Sequence, residues 1–284
     1  MSIRTFKSSA DSNAFLLTES TVELVIPGIP REYTFIHISD LHIAVSEESD
    51  SEEEKTLVAS RTEFWKNQAG LYPIEAIEAV ASRIREISPD MVFCTGDTVD
   101  FPSLSNLRFL KRYLDALGTD CLLAPGNHDS VGEDAPEEMR RLYLDMTGGS
   151  PQFRVIELNG LDIVVINDSS VSITEEQYTA MKRQIRKGRP LLLLLHVPVF
   201  SPAAKETVWN FWGYNWMIGE EQQNELNRRF LRLLNENRNV VRAVFAGHIH
   251  FATGDTEDHG QSVLQYTAAP CFTGFYRIIH VRGC

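Results

Sequence analysis

The sequence predicts an α/β fold built on a central, largely buried sheet, and two observations carry this. Short runs that are apolar at consecutive positions, such as Leu191–Leu195 and Val240–Ala246, fit strands covered on both faces. Between such runs, apolar residues recur at helical spacing, as in Ile74, Ile77, Val80, Ala81, Ile84 and Ile87. Composition agrees. With 284 residues, 43% hydrophobic and 23% charged, the chain has an ordinary globular balance, which excludes wholesale disorder, collagen and a disulfide scaffold. The length permits two domains, but there is no internal repeat and no linker rich in Pro, Gly or Ser, so a single domain over 1–284 is expected.

The expected strands are Val22–Ile26, Tyr33–Ile38, Met91–Thr95, Cys121–Ala124, Phe153–Leu158, Asp162–Ile166, Leu191–Leu195, Val240–Ala246, Ser262–Thr267 and Phe275–Val281. Helical spacing continues in Leu104, Leu107, Leu110, Leu114 and Leu117, and again in Leu226, Phe230, Leu233 and Leu234. A further helix should start at Thr174, whose side chain and that of Gln177 can form a capping box, with Gly188 as its stop. Two segments break the pattern and read as insertions. Ser46–Lys55, within an insertion over about 46–55, is acid and serine, too polar to pack, and is expected as a solvated loop. Trp209–Trp216, within an insertion over about 205–219, holds three of the four tryptophans and fits neither a period of 2 nor one of 3.6. It is expected as a loop, either a packed aromatic cluster or a wall facing substrate, with Trp212 and Trp216 as the candidate contacts.

Charge narrows the function. Lys and Arg number 27 against 39 Asp and Glu, a net −12. Such a chain gains no counterion release on a phosphate backbone, so a nucleic-acid partner is disfavoured. The four cysteines form no CxxC pair, and Cys94 and Cys121 sit in apolar runs as small buried hydrophobes. No leader-like start is present, and the longest apolar run, Leu191–Phe200, is broken by His196 and Pro198, far short of the ~20 residues that span a bilayer. A soluble, reduced, cytoplasmic protein without membrane contact is expected.

Five polar patches directly follow five of the strands. They are Ser39–His42, Gly96–Asp100, Gly126–Asp129, His196–Pro198 and Gly247–His250. Ligands of α/β sheets collect at the carboxyl ends of strands. Five of the eight histidines lie in these patches, and one patch alone would mean little. Imidazole, carboxylate and amide oxygen without thiolate suit first-row ions such as Mn, Fe or Zn. Asp40, His42, Asp97, Asn127, His196, His248 and His250 are seven candidates. With one carboxylate bridging, they make two sites of four protein ligands that keep room for water and substrate. Two such ions ~3.5–4 Å apart can clamp a phosphoryl oxygen, and their charge would attract a compact phosphate ester to an acidic protein.

In order, D-x-H, G-D-x-x-D, G-N-H-D, H-x-P and G-H-x-H closely resemble the calcineurin-like metallophosphoesterases, over Asp40 to His250, about three-quarters of the chain. The resemblance implies a four-layer α/β/β/α sandwich of two mixed sheets, with a dinuclear site on loops at strand ends. It assigns one metal to Asp40, His42, Asp97 and His250, and the other to Asp97, Asn127, His196 and His248, with Asp97 bridging. It also makes His128 the candidate acid or transition-state stabiliser, with Asp129 as its orienter. The helix start at Thr174–Gln177, before the strand of His196, is similar to the cyclic-nucleotide phosphodiesterase branch of the family. The acidic segment after His42 and the aromatic segment after His196 depart from the common pattern.

Outside these patches, His37 is expected as a satisfied core histidine, Asp100 as an acid supporting the site from behind, and His259 and His280 as surface or packing residues. The function expected is hydrolysis of a small or nucleotide-like phosphodiester. A phosphomonoesterase, a nuclease and an inactive metal-binding scaffold are the alternatives.

Overall fold

The structure, a computed structural model, describes residues 2–7, 14–66, 70, 72–213, 217–220, 223–253 and 262–284. The strands are β1 (Ser2–Lys7), β2 (Ala14–Val25), β3 (Tyr33–Ile38), β4 (Met91–Cys94), β5 (Cys121–Leu123), β6 (Phe153–Glu157), β7 (Asp162–Ile166), β8 (Leu191–Leu194), β9 (Val241–Ala246), β10 (Gln265–Thr267) and β11 (Phe275–Arg282). The helices are α1 (Glu52–Phe64), α2 (Pro73–Ile87), α3 (Leu104–Asp115), α4 (Glu137–Met146), α5 (Glu175–Arg186), α6 (Pro202–Trp212) and α7 (Glu225–Glu236).

The strands form two mixed sheets, ordered β1-β2-β11-β3-β4-β5 and β10-β9-β8-β7-β6. In the first, β3, β4 and β5 run parallel, while β11 pairs antiparallel to β3 and parallel to β2. In the second, β7 to β10 are parallel and β6 pairs antiparallel to β7. Side-chain alternation then builds the layers. Leu192 and Leu194 of β8 face inward with Phe35, Phe93, Ile163, Val165 and Phe245, forming the core between the sheets. Leu191 and Leu193 face outward against Met181 and Ile185 of α5 and Phe230 and Leu234 of α7. Beyond the first sheet, Ile36, Ile38 and Val92 pack on Ile77, Val80 and Ile84 of α2 and on Leu107 and Leu110 of α3. The result is the expected α/β/β/α sandwich. Among the described residues, no helix is long and apolar enough to cross a membrane. All four cysteines are free thiols, with Cys94 buried and Cys121 half-buried.

Several expectations need correction. The acidic segment is a loop only up to Ser51, whose side chain accepts from the Glu54 backbone while Glu54 reaches back to the Ser51 nitrogen. This capping box starts α1, which contains no buried residue and therefore no apolar period. The aromatic segment is likewise partly helical. α6 has Pro202 in its first turn and stops at Gly213, in the left-handed conformation at φ 75°. Trp209 and Trp212 thus stand on a helix, whereas Trp216 lies outside the described residues. α4 and β1 were not expected, and β2 begins at Ala14 rather than Val22 because its central stretch, Thr18–Thr21, is polar. His37 is buried and satisfied by Thr95 Oγ1 at 2.8 Å. His280 is exposed on β11, and His259 lies outside the described residues.

Candidate metal centre

Each candidate ligand stands within four residues of a strand end. Asp40 and His42 follow β3, Asp97 follows β4, Asn127 follows β5, His196 follows β8, and His248 and His250 follow β9. Parallel pairing in each sheet brings these ends to one edge, and backbone hydrogen bonds lock the loops together. Asp40 N donates to Gly96 O at 2.9 Å, His42 N to Asp97 O at 3.0 Å, and Gly247 N to His196 O at 2.9 Å. Asp40, His42, Asp97, His248 and His250 all have positive φ, from 46° to 67°. That conformation costs a non-glycine residue of order 1–3 kcal/mol, and it clusters at functional sites.

The side chains converge in two groups that share Asp97. In one, His250 Nε2 is 3.4 Å from Asp40 Oδ1 and 3.4 Å from His42 Nε2. In the other, His196 Nε2 is 3.1 Å from Asn127 Oδ1 and 3.1 Å from His248 Nδ1. Asp97 Oδ1 is taken by the His128 backbone N–H at 2.8 Å. Its Oδ2 faces both groups, 3.2 Å from His196 Nε2 and 3.9 Å from His42 Nε2.

The tautomers follow from the outer contacts. His196 Nδ1 lies 2.7 Å from the carbonyl of Thr95, so it carries the hydrogen and Nε2 keeps its lone pair. His42 Nδ1, 3.1 Å from Asp100 Oδ1, leaves its Nε2 in the same state. Ring lone pairs, an amide oxygen and carboxylates pointed at one another repel unless a cation stands between them. The same pull for a cation shows in the proton affinities, since a proton on His196 Nε2 can take the place of a metal ion. Burial works against charge on His196, yet Asp97, with Asp40 and Asp168 behind it, raises the ring to about 10. His248, buried beside that ring, is pushed down to about 3. Burial opposes ionisation of Asp97 too, but His196, His42 and His128 hold it far below the usual carboxylate range. The donor set is therefore consistent with two metal ions.

The family model for calcineurin-like phosphoesterases matches residues 33–252. The chain belongs to that family. It is 23% identical over 168 residues to a protein of Vesicomyosocius okutanii subsp. Calyptogena okutanii (strain HA) named "Probable cyclic nucleotide phosphodiesterase". That match covers 58% of this chain and 62% of the relative's length. Its fold resembles that of a dimetal phosphatase from Danio rerio, with a TM-score of 0.58 at 14% identity, over 85% of this chain and 88% of the other.

Around these seven candidate positions, the remaining expected residues fall differently. His128 is about a third exposed, beside His42 with ring centroids 4.9 Å apart. Its Nδ1 lies 2.6 Å from the Asp100 carbonyl, leaving Nε2 as the atom that can meet a ligand. Asp129 does not orient that ring. Its Oδ1 accepts from Thr98 N, Thr98 Oγ1 and Val99 N at 2.8, 2.7 and 3.1 Å, and its Oδ2 from Gly126 N at 2.8 Å. Oδ1 staples the loop of Asp97 to that of Asn127, while Oδ2 closes the turn from Gly126 to Asp129 within the latter. Asp100 takes the orienting part through its carbonyl, and its carboxylate supports His42. Trp212 is in place beside the centre. Its ring is 5.6 Å from that of His250, and its Nε1 donates to Ile249 O at 3.0 Å.

Two contributors were missed. Asp168, just beyond β7, accepts from the backbone nitrogens of His196 and Val197 at 2.9 and 3.0 Å, and burial raises its carboxyl to about 7. Its signal was the one used for the other patches, a polar residue directly after an apolar strand. Trp65, just past α1, stacks on His42 with centroids 4.2 Å apart. Nothing local marked it, since the contact joins residues distant in sequence.

Proposed function

We propose that the chain hydrolyses small or nucleotide-like phosphodiesters at a two-metal centre. Asp40, His42, Asp97 and His250 would hold one ion, and Asp97, Asn127, His196 and His248 the other. The observation that carries this reading is Asp97 Oδ2, which faces the ring nitrogens of both groups. The chemistry such a pair supplies when bound is Lewis-acid activation of water and neutralisation of phosphoryl charge. The protein's own part begins with position. Nδ1 of His42 and of His196 donates to a fixed acceptor, so each Nε2 would be presented to an ion without reorganisation. As water adds to phosphorus and the bond to the leaving alcohol breaks, His128 Nε2–H gives that oxygen its proton, and the proton shed by the attacking water restores Nε2–H for the next turnover. The Asp100 carbonyl holds the opposite nitrogen as donor throughout.

A diester is favoured by the aromatic flank at His250, where Trp212 offers a flat face to the second ester group. Similarity to the relative named as a cyclic nucleotide phosphodiesterase supports the same class. Mn, Fe and Zn all suit the donors. The net charge of −12 opposes a nucleic-acid substrate, and free thiols suit a reducing cytoplasm. The test is to strip the chain with chelator, reload it separately with Mn, Fe and Zn, and assay bis-p-nitrophenyl phosphate, cyclic nucleotides and p-nitrophenyl phosphate. Metal-dependent turnover with diester preferred supports the reading. Monoester preference would make it a phosphomonoesterase, and two bound metals without turnover a scaffold.

A further inference from the structure

Helix α1 has no buried residue, so core packing does not explain where it lies. Its C-terminal end instead touches the metal centre. Arg61 clasps the Asp100 carboxylate with two donors, Nε to Oδ2 at 2.5 Å and Nη2 to Oδ1 at 2.9 Å. Trp65 Nε1 donates to the same Oδ1 at 2.7 Å. That oxygen also takes His42 Nδ1 at 3.1 Å. The Trp65 ring lies over the His42 imidazole at an interplanar angle of 29°, and it also borders His250 and Phe272, with centroids 5.4 and 5.0 Å away.

We propose that Arg61 and Trp65 are positioning residues for His42, fixing through Asp100 and by stacking the ring orientation that presents Nε2 to a metal ion. This rests on His42 being a ligand, as proposed above. A planar guanidinium fork suits a carboxylate in both geometry and charge, and it pins Asp100 against rotation. The indole N–H adds a second restraint on the oxygen that sets the His42 tautomer, and the indole face blocks the ring from turning. Nε2 is thereby held 3.4 Å from His250 Nε2 and 3.9 Å from Asp97 Oδ2.

The two halves of the centre differ in this respect. His196 is set by a backbone carbonyl, Thr95 O, between packed strands. His42 is set by a side chain, which is itself held by residues of a surface helix. Loosening α1 should therefore weaken the ion at Asp40, His42 and His250 and spare the ion at Asn127, His196 and His248.

The experiment titrates the chelator-stripped full chain with Mn2+ alone, by calorimetry and by the electron paramagnetic resonance of free Mn2+. Trp65→Phe keeps the stack and removes the N–H, Arg61→Met removes the fork at a partly exposed position, and His42→Ala is the reference. The expected result is two classes of site in the parent, with one weakened ~10–100-fold in Trp65→Phe and Arg61→Met and the other unchanged. Retention of both parental affinities in the two variants would overturn the proposal, and so would equal weakening of both classes, which indicates general loosening. If His42→Ala also bound two ions at parental affinity, the ligand reading itself would fail, a result distinct from failure of the clamp alone. Thermal unfolding of the stripped proteins checks that each variant folds. Should Trp65→Phe not fold, Arg61→Met decides the matter.

Discussion

Gly126 offers a test in which the magnitude comes from geometry. It precedes Asn127, and its φ is not in the left-handed region, so an alanine there meets no backbone strain of its own. A Cβ at that position would lie 2.2 Å from Asp97 N and 2.2 Å from Asp97 Oδ1, whereas ordinary contact begins near 3.4 Å. The two loops must separate by about 1.2 Å, the difference between these distances, and backbone atoms cannot swing aside as a flexible side chain would. A displacement of ~1 Å in a reacting assembly can cost ~100-fold in rate. Gly126→Ala should therefore lower kcat on bis-p-nitrophenyl phosphate by about that factor and reduce bound metal below two per chain. Gly132→Ala is the control, because a Cβ there meets nothing within 4 Å. Metal content by mass spectrometry and turnover at saturating Mn2+ are the readouts. Parental metal content together with parental kcat in Gly126→Ala would refute the role given to Asp97.

Four further outcomes are expected. Asp97→Asn should weaken both metal affinities while His42→Ala weakens mainly one, as read by metal content per chain. His128→Ala, with metals intact and chemistry limiting, should lower kcat at least ~10-fold more for a nucleoside diester than for a nitrophenyl diester, because only the alkoxide needs a proton; equal losses would leave His128 as an electrostatic clamp. Asp129→Asn turns one of its oxygens into a donor facing a backbone N–H, and should cost ~1–3 kcal/mol in denaturant unfolding; an unchanged midpoint would dismiss the staple. Trp212→Ala should raise KM for aryl and nucleotide diesters more than for dimethyl phosphate, and a change in thermal stability alone would return Trp212 to packing.

What the sequence disclosed depended on whether physics wrote a local signal. Leu191–Leu194 was legible because a strand buried on both faces must be apolar throughout. The seven candidate ligands could be picked out because each polar patch interrupts such a run at its end. β2 was half hidden, since polar residues interrupt its central stretch. α1 left no apolar period, though Ser51 and Glu54 wrote its capping box plainly. The Asp129 expectation failed for a related reason. Neighbours in sequence need not be neighbours in contact, and the turn that places His128 beside His42 sends Asp129 back into the loops beneath. The links from Arg61 and Trp65 to Asp100 join residues 39 and 35 apart, which no single-sequence pattern reports.

The proposed chemistry depends above all on Asp97 standing between two ions. Crystals of the chain grown with Mn2+ and measured at the manganese absorption edge would locate every bound metal by anomalous scattering. Two peaks ~3.5–4 Å apart are predicted, with Asp97 Oδ2 within bonding distance of both. One peak should be bounded by Asp40, His42 and His250, and the other by Asn127, His196 and His248. A single peak, or two peaks with Asp97 bonded to only one, would contradict it.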